Sequence, residues 1–129
     1  TAAVTGASSG IGAALAHELS RRGLKVHAIA RREDRLAQQT GCKIHVLDIR
    51  EIEAFVALLG SLQVDILVNN AGVGRGFGSL ADADPIDIDC TLDTNVRAAV
   101  HAVRAVLPSM IERGRGHIVN VGSMAGLYP

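Results

Sequence analysis

Short β-branched and apolar runs alternate along this chain with longer stretches in which apolar residues recur every three to four positions. The short runs predict strands over residues 2–5, 25–30, 43–47, 65–69 and 116–121. Between them the period changes to that of a helix. Residues 10–22 place Ile11, Leu15 and Leu19 on one face and end at Gly23, a C-terminal stop. A short helix is predicted over 33–39 and another over 51–59, with Ile52, Phe55, Val56 and Leu59 pointing inward. The longest periodic segment, 85–113, repeats Leu92, Val96, Ala99, Val103, Val106 and Met110, and Pro108 should kink it or begin its last turns. Gly114-Arg115-Gly116 then turns the chain into the last strand.

Strand and helix in regular alternation specify an α/β fold with a parallel sheet. Right-handed crossovers give a doubly wound, Rossmann-like sheet with strand order 3-2-1-4-5. The last strand, carrying Ile118-Val119-Asn120-Val121, reads as one with neighbours on both sides, yet this order leaves it at an edge. Either further polypeptide or another chain is expected to cover it. No internal repeat or interdomain linker is evident, and the glycine-rich run 72–78 reads as a loop within one domain.

Composition narrows the function. The 129 residues are 48% hydrophobic, enough for one domain with a packed core. Thirteen basic residues balance thirteen acidic ones, so no net field favours nucleic acid or an anionic membrane, and a small ligand held by local groups fits better. No run approaches the roughly 18 apolar residues of a membrane span, and no basic-then-apolar leader is present, which points to the cytoplasm. Cys42 and Cys90 lack ligand or redox spacing and read as ordinary thiols. The five histidines, at 17, 27, 45, 101 and 117, form no metal pattern, so no metal site is expected.

The first strand runs straight into Thr5-Gly6-Ala7-Ser8-Ser9-Gly10-Ile11-Gly12 and then a helix. Glycine belongs where a backbone turns sharply, approaches a pyrophosphate or packs helix against strand, and the helix N-terminus then faces the phosphates. Ser8 and Ser9 can add hydroxyls. At the end of the second strand, where a site for NAD places an acidic residue on the ribose 2′-hydroxyl, this chain has Ala30 followed by Arg31 and Arg32. Two guanidinium groups suit the 2′-phosphate of NADP, although Arg-Arg-Glu-Asp-Arg is also what a solvated helix start looks like. Three further positions stand out. Asn69-Asn70-Ala71-Gly72 follows the fourth strand at the ligand-binding edge of such sheets, although paired asparagines also form turns. Asn95 sits mid-helix, where its amide competes with the backbone. Ser123 comes directly after the fifth strand.

These motifs, in this order, resemble the first half of a short-chain dehydrogenase/reductase. The spacing Gly-x-x-x-Gly-x-Gly is the one used by that family's single-domain reductases. The resemblance implies an NADP-binding domain over 1–129 that is incomplete, because the family's catalytic Tyr-x-x-x-Lys pair falls beyond Pro129. It assigns Gly6, Ser8, Ser9, Gly10, Ile11 and Gly12 to the phosphates, and Asp48 and Ile49 to the adenine. Asn70, Ala71 and Gly72 would line the cofactor. Asn95 would bind a water in the proton relay, and Ser123 would hydrogen-bond the substrate oxygen and support the Tyr. Tyr128 is no substitute, since it follows Ser123 by five residues and no Lys stands after it at the required spacing. The implied activity is hydride exchange between NADP and a small secondary alcohol or carbonyl, in a homodimer or homotetramer. Arg31-Arg32, residues 105–108 and the run 114–129 look most like the 3-hydroxy acid dehydrogenases acting on serine. A non-catalytic module that binds NADP(H) is the alternative.

Overall fold

The computed structural model describes residues 1–75 and 78–124. Five parallel strands, β1 (Ala2–Thr5), β2 (Val26–Ala30), β3 (Cys42–Val46), β4 (Ile66–Asn69) and β5 (His117–Asn120), form one sheet ordered β3-β2-β1-β4-β5. This is the predicted doubly wound order. The helices are α1 (Gly10–Arg21), α2 (Glu33–Leu36), α3 (Ile52–Gly60), α4 (Pro85–Leu92) and α5 (Ala98–Glu112), with a π segment, Asp93–Arg97, between the last two.

Strand alternation sends successive side chains to opposite faces and so builds two cores. Ala3, Ile29 and Leu67 meet Phe55 and Leu59 of α3 and Ala102 and Val106 of α5. Ala2, Val4, Ala28 and Val68 meet Ala16 of α1 and Leu36 of α2 on the other face. Small residues on β1 let the helices approach closely. Helices α1 and α5 both stop at a left-handed glycine, Gly23 and Gly114. At each end the glycine N–H bonds back three residues and the next N–H bonds back five, closing the helix's last carbonyls.

Three details depart from the hydrophobic pattern. Ile11 is 62% exposed, because the first turn of α1 stands beyond the end of β1; Gly12 and Ala16 form the buried stripe, with Leu15 and Leu19 packed beside it. The predicted helix over 33–39 regularises only as α2, and residues 38 and 39 continue as tighter turns. The long helix changes phase in its π segment, which leaves Leu92 and Val96 exposed and buries Ala98 and Ala102, while Val106 and Met110 are buried as predicted. Pro108 lies within α5 without ending it. Val96 of the π segment and Val100, Leu107 and Ile111 on the outer side of α5 surround an apolar groove of about 750 Å³ that reaches Asn120 of the β5 edge.

A histidine pair, His27 buried and His45 half-buried, links β2 to β3. His27 Nδ1 and His45 Nε2 are 2.8 Å apart and the rings stack. His27 is 1% exposed and its Nε2 has no hydrogen-bond partner. Burial, aided by the His45, Lys25 and Lys43 charges, pulls its pKa down to about 4, and burial lowers that of His45 too. A folded-state pKa below the unfolded value means the neutral ring is the stabilised form. Stability should therefore be full above about pH 6.5 and decline as pH falls towards 4, by about 2–3 kcal/mol. Urea unfolding across that window should show the loss in the native chain, and a His27→Leu variant should flatten it. Parallel profiles for the two would assign the acid sensitivity elsewhere.

Candidate cofactor and active site

All the predicted site residues from the loops gather at the carboxyl edge of the sheet, and the first knot there is Thr5. Its hydroxyl donates to Val68 O (3.3 Å) and accepts from the backbone N–H groups of Asn70 and Ala71, both at 3.0 Å. Asn70 Nδ2 returns the connection by donating to Thr5 O at 2.9 Å. The loop after β1 is thus stitched to the loop after β4. Glycine is obligatory in this seam. A Cβ on Gly6, already at φ +67°, would stand 2.8 Å from Ala71 Cα, and one on Gly12 would stand 2.5 Å from Gly6 O and press on the Asn70 amide.

Gly10 differs, with φ +56° and open space where its Cβ would be. The loop is therefore closed against the protein on one side and open on the other. Ser9, the residue before α1, makes no side-chain cap to the helix, so the first N–H groups of α1 remain for an incoming anion. A pyrophosphate fits this cradle.

Arg32 reaches across from the end of β2 and donates to Ser8 Oγ (3.1 and 3.3 Å) and Ser9 Oγ (2.7 Å). Arg31 turns towards Asp48, with 3.6 Å between Nη1 and Oδ2. Asp48 is held more closely by Arg50, which keeps its carboxyl below the usual range. Ile49 is buried in the core beside Ile52 and Phe55, where it anchors this loop. The two predicted arginines thus part at the end of β2, Arg32 to the Ser8 and Ser9 hydroxyls and Arg31 to Asp48.

At the other end Asn95 lies in the π segment, and its amide pairs with one backbone residue in both directions. Oδ1 accepts from Val73 N and Nδ2 donates to Val73 O, each at 2.8 Å. Gly72 is packed so that a Cβ would be 3.4 Å from that same Oδ1. A π turn widens the helix by one residue, and such turns recur at functional sites. Here it aims an amide at the loop that follows β4.

Ser123 lines the same cleft as Ile11, Asn70, Gly72 and Asn95, a space of about 870 Å³. No charged side chain is among its described lining residues. Tyr128 and the other residues after Met124 lie outside the described residues. Among the described residues no group of three or more His, Cys, Asp or Glu side chains comes together.

Pattern reading missed the roles of Thr5, Asn69 and Asn120. Asn69 and Asn120 end neighbouring strands in register, and Asn69 Nδ2 donates to Asn120 Oδ1 (3.0 Å) and Ala99 O (3.4 Å). A polar residue closing two strands that the topology makes adjacent was the available signal.

The whole chain, residues 1–129, matches the family model for short chain dehydrogenases. The chain belongs to that family. This short-chain dehydrogenase chain is 40% identical over 136 residues to the NADP-dependent 3-hydroxy acid dehydrogenase YdfG of Escherichia coli strain K12, an alignment covering 98% of the chain and 55% of that protein. It is 42% identical over 139 residues to a probable NADP-dependent dehydrogenase of Haemophilus influenzae, covering all of the chain and 55% of the relative. The chain thus spans about half the length of the curated relatives it matches. Among solved structures, the closed form of serine dehydrogenase complexed with NADP+ superposes with a TM-score of 0.91 at 39% identity, over 99% of the chain and 56% of that structure's chain.

Proposed function

We propose that these residues form the cofactor-binding part of an NADP-dependent oxidoreductase that interconverts a small secondary alcohol and a carbonyl, with a 3-hydroxy acid as the substrate class. The observation that carries the cofactor choice is the Arg32 guanidinium spanning the Ser8 and Ser9 hydroxyls, with Arg31 beside it and Ala30 where an acidic residue would oppose a phosphate. A doubly charged 2′-phosphate would exchange neutral hydroxyl partners for charge-assisted bonds to a planar fork. The names of the relatives, NADP-dependent and 3-hydroxy acid dehydrogenases, support both halves of the reading.

In this reading Gly6, Gly10, Gly12 and the first turn of α1 receive the pyrophosphate, Asp48 borders the adenine on a loop that Ile49 anchors in the core, and Asn70, Ala71 and Gly72 form the floor beneath the cofactor. When bound, NADP supplies hydride acceptance and NADPH hydride delivery. Ser123 orients the substrate oxygen by hydrogen bonding. Asn95 fixes the Val73 turn and has donor and acceptor capacity left for a water. The sequence contains no Tyr-x-x-x-Lys pair, so these residues bind and orient, and none of them is assigned the proton. The apolar outer side of α5 supports assembly as a homodimer or homotetramer.

Arg31→Ala combined with Arg32→Ala should weaken NADPH binding about 10- to 100-fold and leave NADH within about twofold, since each lost charge-assisted bond is worth roughly 1.5–3 kcal/mol before the remaining chain compensates. Fluorescence titration of both reduced cofactors measures it. Equal losses would show that the arginines do not read the 2′-phosphate. Oxidation of serine and other 3-hydroxy acids with NADP tests the substrate class.

A further inference from the structure

We propose that Arg50 is a positioning residue for cofactor choice: it occupies the Asp48 carboxylate and so leaves Arg31 available to a 2′-phosphate. The inference rests on the NADP reading above and adds a residue that no part of that reading uses.

The problem it solves is local. Leu47 N bonds Ala30 O at 3.0 Å, which sets the end of β3 beside the end of β2 and puts Asp48 next to Arg31. A carboxylate there opposes a phosphate in two ways: it repels the anion and it competes for the same guanidinium. Arg50 removes both effects. Its Nε donates to both Asp48 oxygens at 3.1 Å, its Nη2 to Oδ2 at 2.6 Å, and its backbone N–H to Oδ1 at 3.0 Å. The Arg31 contact to the same carboxylate is 3.6 Å, and the Arg31 side chain is half exposed. Asp48 is thus committed to Arg50, and an exposed, loosely held Arg31 can turn to a new anion at little cost.

Arg50 is itself anchored. Its Nη1 lies 3.4 Å from the sulfur of Cys90, a buried residue of α4. The fork therefore has a fixed origin, and the carboxylate it holds has a fixed direction.

The test uses the purified full-length protein and titrates NADPH and NADH separately for the native form, Arg50→Met, and Arg50→Met combined with Asp48→Asn. Loss of the fork should lower the ratio of NADPH to NADH affinity about tenfold, the size of one charge-assisted interaction. Neutralising Asp48 in that background should return the ratio to within about threefold of native, because the two changes share one interaction. A purely structural role would weaken both cofactors together, leave the ratio unmoved and overturn the proposal. A ratio that falls and is not restored by Asp48→Asn would mean that Arg50 touches the phosphate itself, which also overturns it. A native protein with no preference for NADPH would remove the NADP reading and this inference together, and the native titration alone reveals that case.

Discussion

Turnover of the full-length Ser123→Ala enzyme is expected to fall about 10²- to 10⁴-fold, with NADPH affinity within about twofold of native. The argument starts at the strand that presents the residue. Val121 N donates to Asn69 O at 2.9 Å, so β5 stays paired to β4 to within two residues of Ser123. The hydroxyl is therefore delivered to the cleft from a held strand end. Thr91 is the other hydroxyl among the described lining residues, and it donates to Asp87 O at 2.8 Å within its own helix. Ser123 is the hydroxyl that β5 carries to the cleft, and in the proposed reaction it meets the substrate oxygen. In the proposed reaction the described lining residues, none of them charged, offer the transition state neutral donors of this kind, which gain strength where water is excluded. Steady-state kinetics at saturating NADP would decide it. Native turnover in the variant would remove Ser123 from the mechanism.

Thr5→Val should cost the fold about 3–5 kcal/mol although it changes the side-chain volume hardly at all. Thr5 is 2% exposed, and its Oγ1 is the acceptor for two backbone N–H groups. Valine leaves both donors buried without an acceptor, at about 1–3 kcal/mol each. It also leaves the Val68 carbonyl without the hydroxyl that reached it. Cofactor affinity should fall with stability, since the same knot holds the Asn70 amide against the glycine loop. Thr5→Ser keeps the oxygen and should stay within about 1.5 kcal/mol of native. Urea unfolding of the three forms provides the comparison. If the valine form unfolds at the native midpoint, the two N–H groups have found other acceptors and the knot is not a stabilising element.

The strands were legible because each is a short apolar run bounded by polar or glycine-rich residues, and strand order followed from handedness alone. The glycine loop was legible for a related reason: its spacing has meaning only between a strand and a helix, and both were visible. What could not be read was whatever depends on phase or register between distant segments. Ile11 sits at the spacing of a core residue, and only the length of β1 relative to α1 shows that it overhangs the sheet edge. The His27–His45 pair needs the β2–β3 register, and the Asn69–Asn120 pair needs the β4–β5 register. Thr5 looked like the last residue of a strand, because the two N–H groups it accepts lie more than sixty positions away. Arg31 and Arg32 were named together, but the sequence could not show that one crosses to the serines while the other turns to Asp48.

The π segment has a consequence for how this chain tolerates change. One residue advances an α-helix by about 100° of rotation. The additional residue accommodated within Asp93–Arg97 therefore acts as a fixed angular offset between α4, which flanks the cleft, and α5, which packs on the sheet. A deletion of a single residue there would leave composition, charge and helix propensity almost untouched. It would nevertheless rotate one helix against the other, carry the Asn95 amide off Val73, and exchange buried for exposed positions along α4. Length, more than residue identity, is the quantity this segment must preserve.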